Sequence, residues 1–258
     1  MPALSIATVV PTFNQGDRAF DFLQDWAHVG TAHTTVRALA IVVDDGSREE
    51  ESARQREAVA AATEILRRGG ALHEVRYLRS DKNRGKGAAI RLGWSHAPAD
   101  VEWLSFIDAD GAYPAREYWR LAASLTAACA DVVCASRIKM AGRAIERSLF
   151  RHVQGRVFAT AVEELFHLGF YDTQAGMKFF NATLLRPLLS KLREDRWLLD
   201  IEILALLRKA GARCVEAPVD CHQQAGSSLV FGIDSFRMMS QLIRLRKRLR
   251  DQPAARHD

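Results

Sequence analysis

The stretch SFIDADGAYP, residues 105–114, places two carboxylates directly after a short apolar run. Residues i and i+2 of an extended chain project to the same side, so Asp108 and Asp110 converge while Ala109 points away. The glycine and proline that follow predict a turn and the start of a helix. Two converging carboxylates repel each other unless a cation lies between them. Because Mg²⁺ commonly takes only one or two carboxylates and completes its shell with water and phosphate oxygens, the stretch favours a divalent metal site.

Two other interpretations of this stretch remain open from the residues alone. An apolar strand followed by D-x-D-G is also typical of haloacid-dehalogenase-like phosphatases, in which Asp108 would be phosphorylated. Against that hypothesis, Ala112 stands where Thr or Val is usual, and the acidic pair Asp44-Asp45 precedes the stretch instead of following it. An ordinary polar turn is the third interpretation.

Short apolar runs alternate with helical patterns on both sides of this stretch. Strands are predicted at residues 4–10, 38–43, 74–78, 102–107, 131–135 and 214–219. Helices are predicted at 17–29, 49–68, 86–96, 115–128, 147–166, 183–192, 200–211 and 231–250. This alternation predicts an α/β fold with a mixed, mostly parallel sheet flanked by helices. Ligands of such sheets bind at the carboxyl ends of the strands, where four polar loops of this chain would meet.

Two of these loops suit a nucleotide. Asp44 and Asp45, in VVDDGS, follow the second predicted strand, where a carboxylate can accept hydrogen bonds from a base or a ribose. Lys86 lies between Gly85 and Gly87, where a strand passes into a helix. Amide groups at a helix start, together with one lysine, favour a phosphate, although the P-loop pattern is not met. The alternatives are an Asp-Gly turn and a glycine turn with a solvated lysine.

Composition excludes several classes of protein. The chain has 258 residues, 48% hydrophobic and 26% charged, as in ordinary globular proteins. Its net charge of +5 is concentrated in residues 237–250, which predicts a local basic surface and no nucleic-acid partner. No apolar run reaches about 18 residues, and the first residues lack a signal-peptide pattern, so we expect a cytoplasmic protein. Reduced cysteines are expected, with a zinc site near His222 as the alternative.

Nine motifs, taken together and in order, resemble one family. They are PTFN (11–14), VVDDGS (42–47), NRGKGAAIRLG (83–93), DADG (108–111), ASR (135–137), IERS (145–148), YDTQAGMKFF (171–180), RWLLDIEIL (196–204) and AGSSL (225–229). The set resembles family 2 glycosyltransferases with the Rossmann-like GT-A fold, in the polyprenyl-phosphate branch. The D-A-D-G and D-T-Q-x-G-x-K-x-F patterns are most similar to dolichyl-phosphate β-glucosyltransferases. The resemblance covers roughly residues 4–232.

The resemblance implies a single GT-A domain over residues 1–232. Its part up to about residue 135 would bind the nucleotide-sugar, and the part from about 136 to 232 would bind the acceptor. Asp108 and Asp110 would bracket the ribose and the metal. The residues implied to hold the nucleotide or sugar in the strand-end loops are Pro11, Thr12, Asn14, Asp44, Asp45 and Lys86.

The second half is implied to build the acceptor side. Arg137 and Arg147 would hold the acceptor phosphate, a use that suits the two-pronged guanidinium group. The loop of Asp172 and Gln174, together with Lys178, would shape the sugar pocket. Without the resemblance, the alternative for Asp172, Gln174 and Lys178 is a capping turn and a solvated lysine.

The implied reaction is an inverting transfer of a hexose, with glucose favoured, to a polyprenyl phosphate. UDP-glucose is the favoured donor, GDP-mannose is the alternative, and Mg²⁺ or Mn²⁺ is the cofactor. A hydroxyl acceptor would instead need a general base, for which Asp200 and Glu202 are candidates. Their spacing on a helix lets only one of them face the site. A mannosyl-type synthase, an enzyme acting on a hydroxyl acceptor and a non-catalytic nucleotide-sugar binder are the remaining alternatives.

Residues 233–258 are predicted to form a basic amphipathic helix and tail. The apolar stripe consists of Phe236, Met239, Leu242, Ile243, Leu245 and Leu249. One hypothesis is peripheral contact with anionic lipid at the inner membrane face, close to a lipid-linked acceptor. The alternative is a helix that packs on the catalytic lobe and leaves its basic face in solvent.

Overall fold

The computed structural model describes residues 3–145, 149–222 and 233–250. The strands are β1 (Leu4–Thr12), β2 (Val36–Asp44), β3 (Glu74–Arg79), β4 (Trp103–Ile107), β5 (Val132–Ser136), β6 (Met177–Asn181) and β7 (Cys214–Pro218). The helices are α1 (Gly16–Gly30), α2 (Glu49–Arg68), α3 (Lys86–Ser95), α4 (Ala115–Ser124), α5 (Leu149–Phe166), α6 (Ala182–Leu185), α7 (Leu199–Lys209) and α8 (Ile233–Arg250). A 3₁₀ helix, Arg186–Lys191, follows α6.

Within the described residues, seven strands form one sheet in the order β3-β2-β1-β4-β6-β5-β7. β6 runs antiparallel to both of its neighbours, whereas the other adjacent strands pair in parallel. The prediction of a mixed, mostly parallel sheet is therefore confirmed. Because β1 to β4 all point the same way, the four polar loops that follow them lie at one edge.

Both faces of the sheet are covered, which explains why β1, β2 and β4 in its middle are mostly apolar and buried. Successive side chains of a strand point to opposite faces. Accordingly Phe179 packs into the cluster around Trp26 and Tyr118, while Phe180 packs against Trp94 on the other face. Thus β6, although short, contributes to both layers of the core.

Two sequence predictions differ from the structure in the second half. No strand is predicted at β6, because Lys178 interrupts its apolar pattern; the structure buries that lysine completely. The helix predicted at 183–192 ends after one turn and continues as the 3₁₀ helix, which has Pro187 near its start. Proline lacks the amide that an α-helix needs there and clashes with the preceding turn.

The C-terminal helix packs on the rest of the fold. In α8, Leu242, Leu245 and Leu249 are buried, whereas Met239 and Ile243 are exposed. The helix contacts α5 and α7, as the packing alternative predicts for the buried half of the stripe. None of the helices in residues 3–145, 149–222 and 233–250 is long and apolar enough to cross a bilayer. The division of residues 1–232 into a donor part and an acceptor part stays a prediction.

A buried histidine joins β2 to the end of α1. His73 is 7% exposed, and its Nδ1 accepts the amide of Ala38 at 3.1 Å. Since Nδ1 is an acceptor, Nε2 carries the proton and donates to the carbonyl of Gly30 at 3.0 Å. Burial lowers the pKa of His73. The ring is thus held neutral, and protonation would cost the bond to Ala38.

Replacing this ring changes how stability depends on pH. Because the folded-state pKa lies below that of the unfolded chain, His73 contributes stability that is fully present above about pH 6.5 and is lost on acidification. We expect His73→Gln to lower the free energy of unfolding at about pH 8 and to reduce its acid slope by at most about 1.4 kcal/mol per pH unit. Urea unfolding across this range measures both. Exposed His96→Gln is the matched control, and equal slopes for His73→Gln and wild type would contradict the assignment.

Candidate active site

The loops after β2 and β3 are joined by one carboxylate. Asp45 is buried, and its oxygens accept the amides of Arg84 at 3.0 Å and Gly85 at 2.6 Å. Burial raises the pKa of Asp45. This contact fixes the glycine-rich segment at the start of α3 beside the end of β2.

The carboxylate oxygens of Asp44 accept hydrogen bonds from the residues that follow β2 and from β3. It accepts the amide of Ser47 at 2.8 Å, the hydroxyl of Ser52, and the hydroxyl of Tyr77 at 2.7 Å. Burial opposes its ionisation, but these hydrogen bonds outweigh burial and lower the pKa of Asp44. Asp44 therefore shapes the loop, and its predicted nucleotide contact stays a prediction.

The PTFN segment is tied to the same loop. The hydroxyl of Thr12, which follows Pro11 at the end of β1, donates to the side chain of Gln55 at 2.6 Å. Asn14 adopts a left-handed conformation, with φ of 50°, and its side-chain oxygen accepts the amide of Arg48 at 3.0 Å. Asparagine tolerates this conformation better than most residues. The two polar side chains thus position the edge of the candidate nucleotide site.

Lys86 and the two aspartates of DADG form the centre of the site. The Nζ of Lys86 lies 2.6 Å from an oxygen of Asp108, and the lysine side chain is 36% exposed. Partial burial opposes the charge of Lys86, but Asp108 and Asp200 outweigh it and raise its pKa. Burial, followed by the charge of Asp108, raises the pKa of Asp110. The glycine-rich loop and the acidic strand end, separate in the sequence, meet here.

Gly176 leaves the room that Asp108 needs. A Cβ on Gly176 would lie 2.0 Å from a carboxylate oxygen of Asp108, far inside contact distance. The backbone of the same pair is joined, since the amide of Asp108 donates to the carbonyl of Gly176 at 2.8 Å. The loop before β6 thus fixes one of the two candidate metal ligands.

A second lysine lies in the interior beside this centre. Lys178 is 0% exposed, donates to the carbonyl of Ala175 at 2.5 Å, and lies 3.5 Å from Asp200. Burial raises the pKa of Asp200, and the charge of Lys178 opposes that rise. Lys178 and Lys86 both approach the ring of Phe106, at 5.4 and 5.2 Å from its centre, so Asp200 lies on the side of the active centre. Glu202 instead bonds to the backbone of residues 193–194. Of the two candidates, Asp200 is the one beside the site.

The candidate acceptor side is organised by a two-pronged ion pair. Arg137 donates from Nε and Nη2 to the two oxygens of Asp172, at 2.6 and 2.8 Å. Burial alone would raise the pKa of Asp172, but the charge of Arg137 outweighs it and lowers the pKa to about 2. Glu216 of β7 accepts the amides of Tyr171 and Asp172 at 2.6 and 2.9 Å. Arg147 lies outside the described residues.

Sequence reasoning missed Glu216. It supports the loop that presents Asp172, and it is an acid within the strand predicted at 214–219. A charged side chain inside an otherwise apolar strand was the available signal, because such a residue is seldom placed in a sheet without a partner.

Several buried polar atoms around the pair of Arg137 and Asp172 have no hydrogen-bond partner within the described part of the chain. They are Ser136 Oγ, Thr173 Oγ1 and Gln174 Nε2. An unpaired buried polar group costs roughly 1–3 kcal/mol, so a cluster of them needs a reason. A polar ligand such as a sugar would supply hydrogen-bond partners for these atoms.

The donor set at Asp108 and Asp110 fits a hard divalent cation. Both side chains offer carboxylate oxygen, and burial, followed by the negative charge of Asp108, raises the pKa of Asp110. In the described ranges no group of three or more His, Cys, Asp or Glu side chains is placed to hold a metal ion. Two carboxylates leave positions for water and diphosphate oxygens, as Mg²⁺ prefers. The alternative zinc site near Cys221 and His222 gains no support.

Solved structures with the same fold cover nearly the whole chain. A mannosyltransferase from Pyrobaculum calidifontis in complex with GDP-Man and Mn²⁺ has a TM-score of 0.59 and 19% identity, over 96% of this chain and 65% of that chain. Glucosyl-3-phosphoglycerate synthase from Mycobacterium tuberculosis, in complex with Mn²⁺ and UDP-Glc, has a TM-score of 0.62 and 16% identity, over 97% and 81%. These likenesses confirm the predicted GT-A fold.

Sequence relatives point to one branch. The chain is 27% identical over 255 residues to dolichyl-phosphate β-glucosyltransferase of Saccharomyces cerevisiae, spanning 93% of this chain and 74% of that protein. It is 30% identical over 240 residues to the Drosophila melanogaster protein of the same name, spanning 88% and 70%. The family model described as glycosyl transferase family 2 matches residues 8–189. This match covers more than half of the chain and includes Lys86, Asp108 and Asp110. The chain therefore belongs to glycosyl transferase family 2.

Proposed function

We propose that the protein is an inverting hexosyltransferase that moves glucose from UDP-glucose to a polyprenyl phosphate. The observation that carries the proposal is the cluster of Lys86, Asp108 and Asp110 at the carboxyl edge of the sheet. A cation and two carboxylates at one point suit a diphosphate leaving group and its metal. The relatives named dolichyl-phosphate β-glucosyltransferase support the choice of glucose and of a lipid phosphate.

On the donor side, the residues stabilise charge. Asp108 and Asp110 would hold Mg²⁺ or Mn²⁺, which supplies Lewis-acid stabilisation of the diphosphate when bound. Lys86, whose raised pKa keeps it protonated at neutral pH, faces the negative charge that develops as the sugar leaves. One displacement at the anomeric carbon inverts its configuration.

On the acceptor side, the attacking group determines whether a base is needed. A lipid phosphate is already anionic, so no strong general base is required. Arg137, and Arg147 outside the described residues, are proposed to hold that phosphate. Because Asp172 already accepts from Nε and Nη2 of Arg137, the phosphate would bond to the remaining N–H groups of that guanidinium. A hydroxyl acceptor would require a general base such as Asp200, whose pKa burial raises although the charge of Lys178 opposes the rise. The relatives named dolichyl-phosphate β-glucosyltransferase favour the phosphate acceptor instead.

The protein is proposed to act at the cytoplasmic face of a membrane, where a lipid-linked acceptor would lie. Met239 and Ile243 are exposed on α8, and Arg244, Arg246 and Lys247 are exposed beside them. A basic helix face with exposed apolar side chains favours contact with anionic lipid.

The proposed reaction predicts a lipid-soluble product. Purified protein incubated with UDP-glucose, Mg²⁺ or Mn²⁺ and polyprenyl phosphate should yield sugar that extracts into organic solvent, with GDP-mannose as the competing donor. Organic-extractable mannose in place of glucose would favour the mannosyl alternative. Nucleotide release that requires a hydroxyl acceptor would refute the lipid-phosphate assignment, and phosphate release without any nucleotide-sugar would support the phosphatase.

Asp110→Asn should remove metal-dependent turnover. The amide keeps the size of the side chain but loses the charge that a divalent cation needs, so we expect a loss of at least about 100-fold in kcat. Turnover measured across a Mn²⁺ titration tests this. Asp100→Asn changes an exposed acid and should leave the titration as in wild type. Unchanged turnover in Asp110→Asn would refute the metal assignment.

Gly176→Ala should displace Asp108 without unfolding the protein. The added methyl group would occupy the place of the carboxylate, and a misplacement near 1 Å can cost roughly 100-fold in rate. We therefore expect kcat/KM for sugar transfer to fall by about that factor while the thermal midpoint moves by only a few degrees. An alanine variant with wild-type kcat/KM would show that Asp108 tolerates a shift.

A further inference from the structure

Glu202 supports the loop that precedes its own helix. This carboxylate is 0% exposed, and its oxygens accept the amide of Arg193 at 3.0 Å and that of Glu194 at 2.9 Å. It also accepts Nη2 of Arg248, from α8, at 2.7 Å. A buried carboxylate is retained only when its oxygens are bonded in this way. The contacts fix the backbone of residues 193–194 against α7.

The supported segment lies directly against the glycine-rich loop. The carbonyl of Asp195 accepts the amide of Ala88 at 3.0 Å. A Cβ on Gly85 would lie 2.5 Å from that carbonyl oxygen, and one on Gly87 would lie 2.6 Å from the carbonyl oxygen of Glu194. The absence of side chains on Gly85 and Gly87 therefore lets the 194–195 backbone approach the loop on both sides of Lys86.

A second set of contacts holds the segment along α3. Arg91 donates to the carbonyl of Leu192 at 2.8 Å and forms an ion pair with Asp195. The start of α3, and with it the backbone of Lys86, is thus fixed by residues 192–195.

The C-terminal helix completes the support. Arg248 bridges the carboxylates of Glu194 and Glu202 at 2.9 and 2.7 Å, and it is flanked by the buried side chains of Leu245 and Leu249. A continuous series of contacts therefore runs from α8 through Glu202 and the 193–195 segment to the loop of Lys86.

We propose that Glu202 is a positioning residue for the nucleotide-sugar, acting with Arg248 to place Lys86 through the 193–195 segment. The inference rests on the proposed function, in which Lys86 faces the donor diphosphate. It assigns different tasks to the two acids of α7: Asp200 faces the active centre, while Glu202 fixes the wall behind the donor loop. The C-terminal helix then belongs to the donor site as well as to the core.

The test compares donor and acceptor kinetics. Glu202→Gln places an amide group against backbone N–H groups and Arg248, so the segment shifts while the volume is kept. We expect KM for UDP-glucose to rise roughly tenfold, with KM for polyprenyl phosphate changing less than about threefold. Arg248→Met should act in the same direction. Arg248→Lys, which keeps a cation, should recover most of the donor affinity, and Arg68→Met on the exposed face of α2 should match wild type.

Binding of UDP in the presence of Mn²⁺, measured by calorimetry, separates this inference from the proposed reaction. Weaker UDP binding in Glu202→Gln and Arg248→Met, with urea unfolding still cooperative, supports the positioning role even if no sugar transfer is found. Equal rises in both KM values, or unchanged UDP binding with only a lower unfolding free energy, would overturn it. Wild-type protein that binds UDP but glycosylates no lipid phosphate would refute the proposed function alone.

Discussion

Parallel pairing of β1 with both β2 and β4 is the constraint on which the candidate site depends. It sends the carboxyl ends of these strands to one edge, so that residues more than sixty positions apart in the sequence lie at the same edge of the sheet. Asp44 at the end of β2 and Asp108 after β4 are thereby placed on the same side as the start of α3. The antiparallel strand β6 then adds the loop of Gly176 from the other half of the chain.

Two lysine ammonium groups at this edge of the sheet lie near the same aromatic ring. The ammonium groups of Lys86 and Lys178 lie 5.2 and 5.4 Å from the ring centre of Phe106. Each lysine has its own carboxylate, Asp108 for the first and Asp200 for the second. A cation removed from water needs such a partner, and the aromatic face adds a weaker attraction. Asp110 is then the acid whose charge calls for a further cation.

The sequence predicts the strands and helices of the first half well, because the spacing of apolar residues and the positions of turn-forming residues indicate the same boundaries there. The helix at Glu49–Arg68 begins and ends where the pattern places it. In contrast, β6 cannot be found by pattern, since its buried lysine needs an acid that comes twenty-two residues later. Nor can the pattern decide between Asp200 and Glu202. That choice depends on how α7 is rotated about its axis, which is set by the packing of the whole helix.

The glycine-rich loop shows how a correct motif can have a second physical cause. Glycines beside Lys86 suggest open amides that await a phosphate. In the structure, the amide of Gly85 is taken by Asp45 and that of Ala88 by the carbonyl of Asp195. The glycines are needed because neighbouring backbone approaches too closely for a Cβ. Because these two amides are already bonded, the start of α3 has fewer N–H groups for a phosphate than the motif suggests. Binding of the diphosphate would therefore depend more on the charge of Lys86.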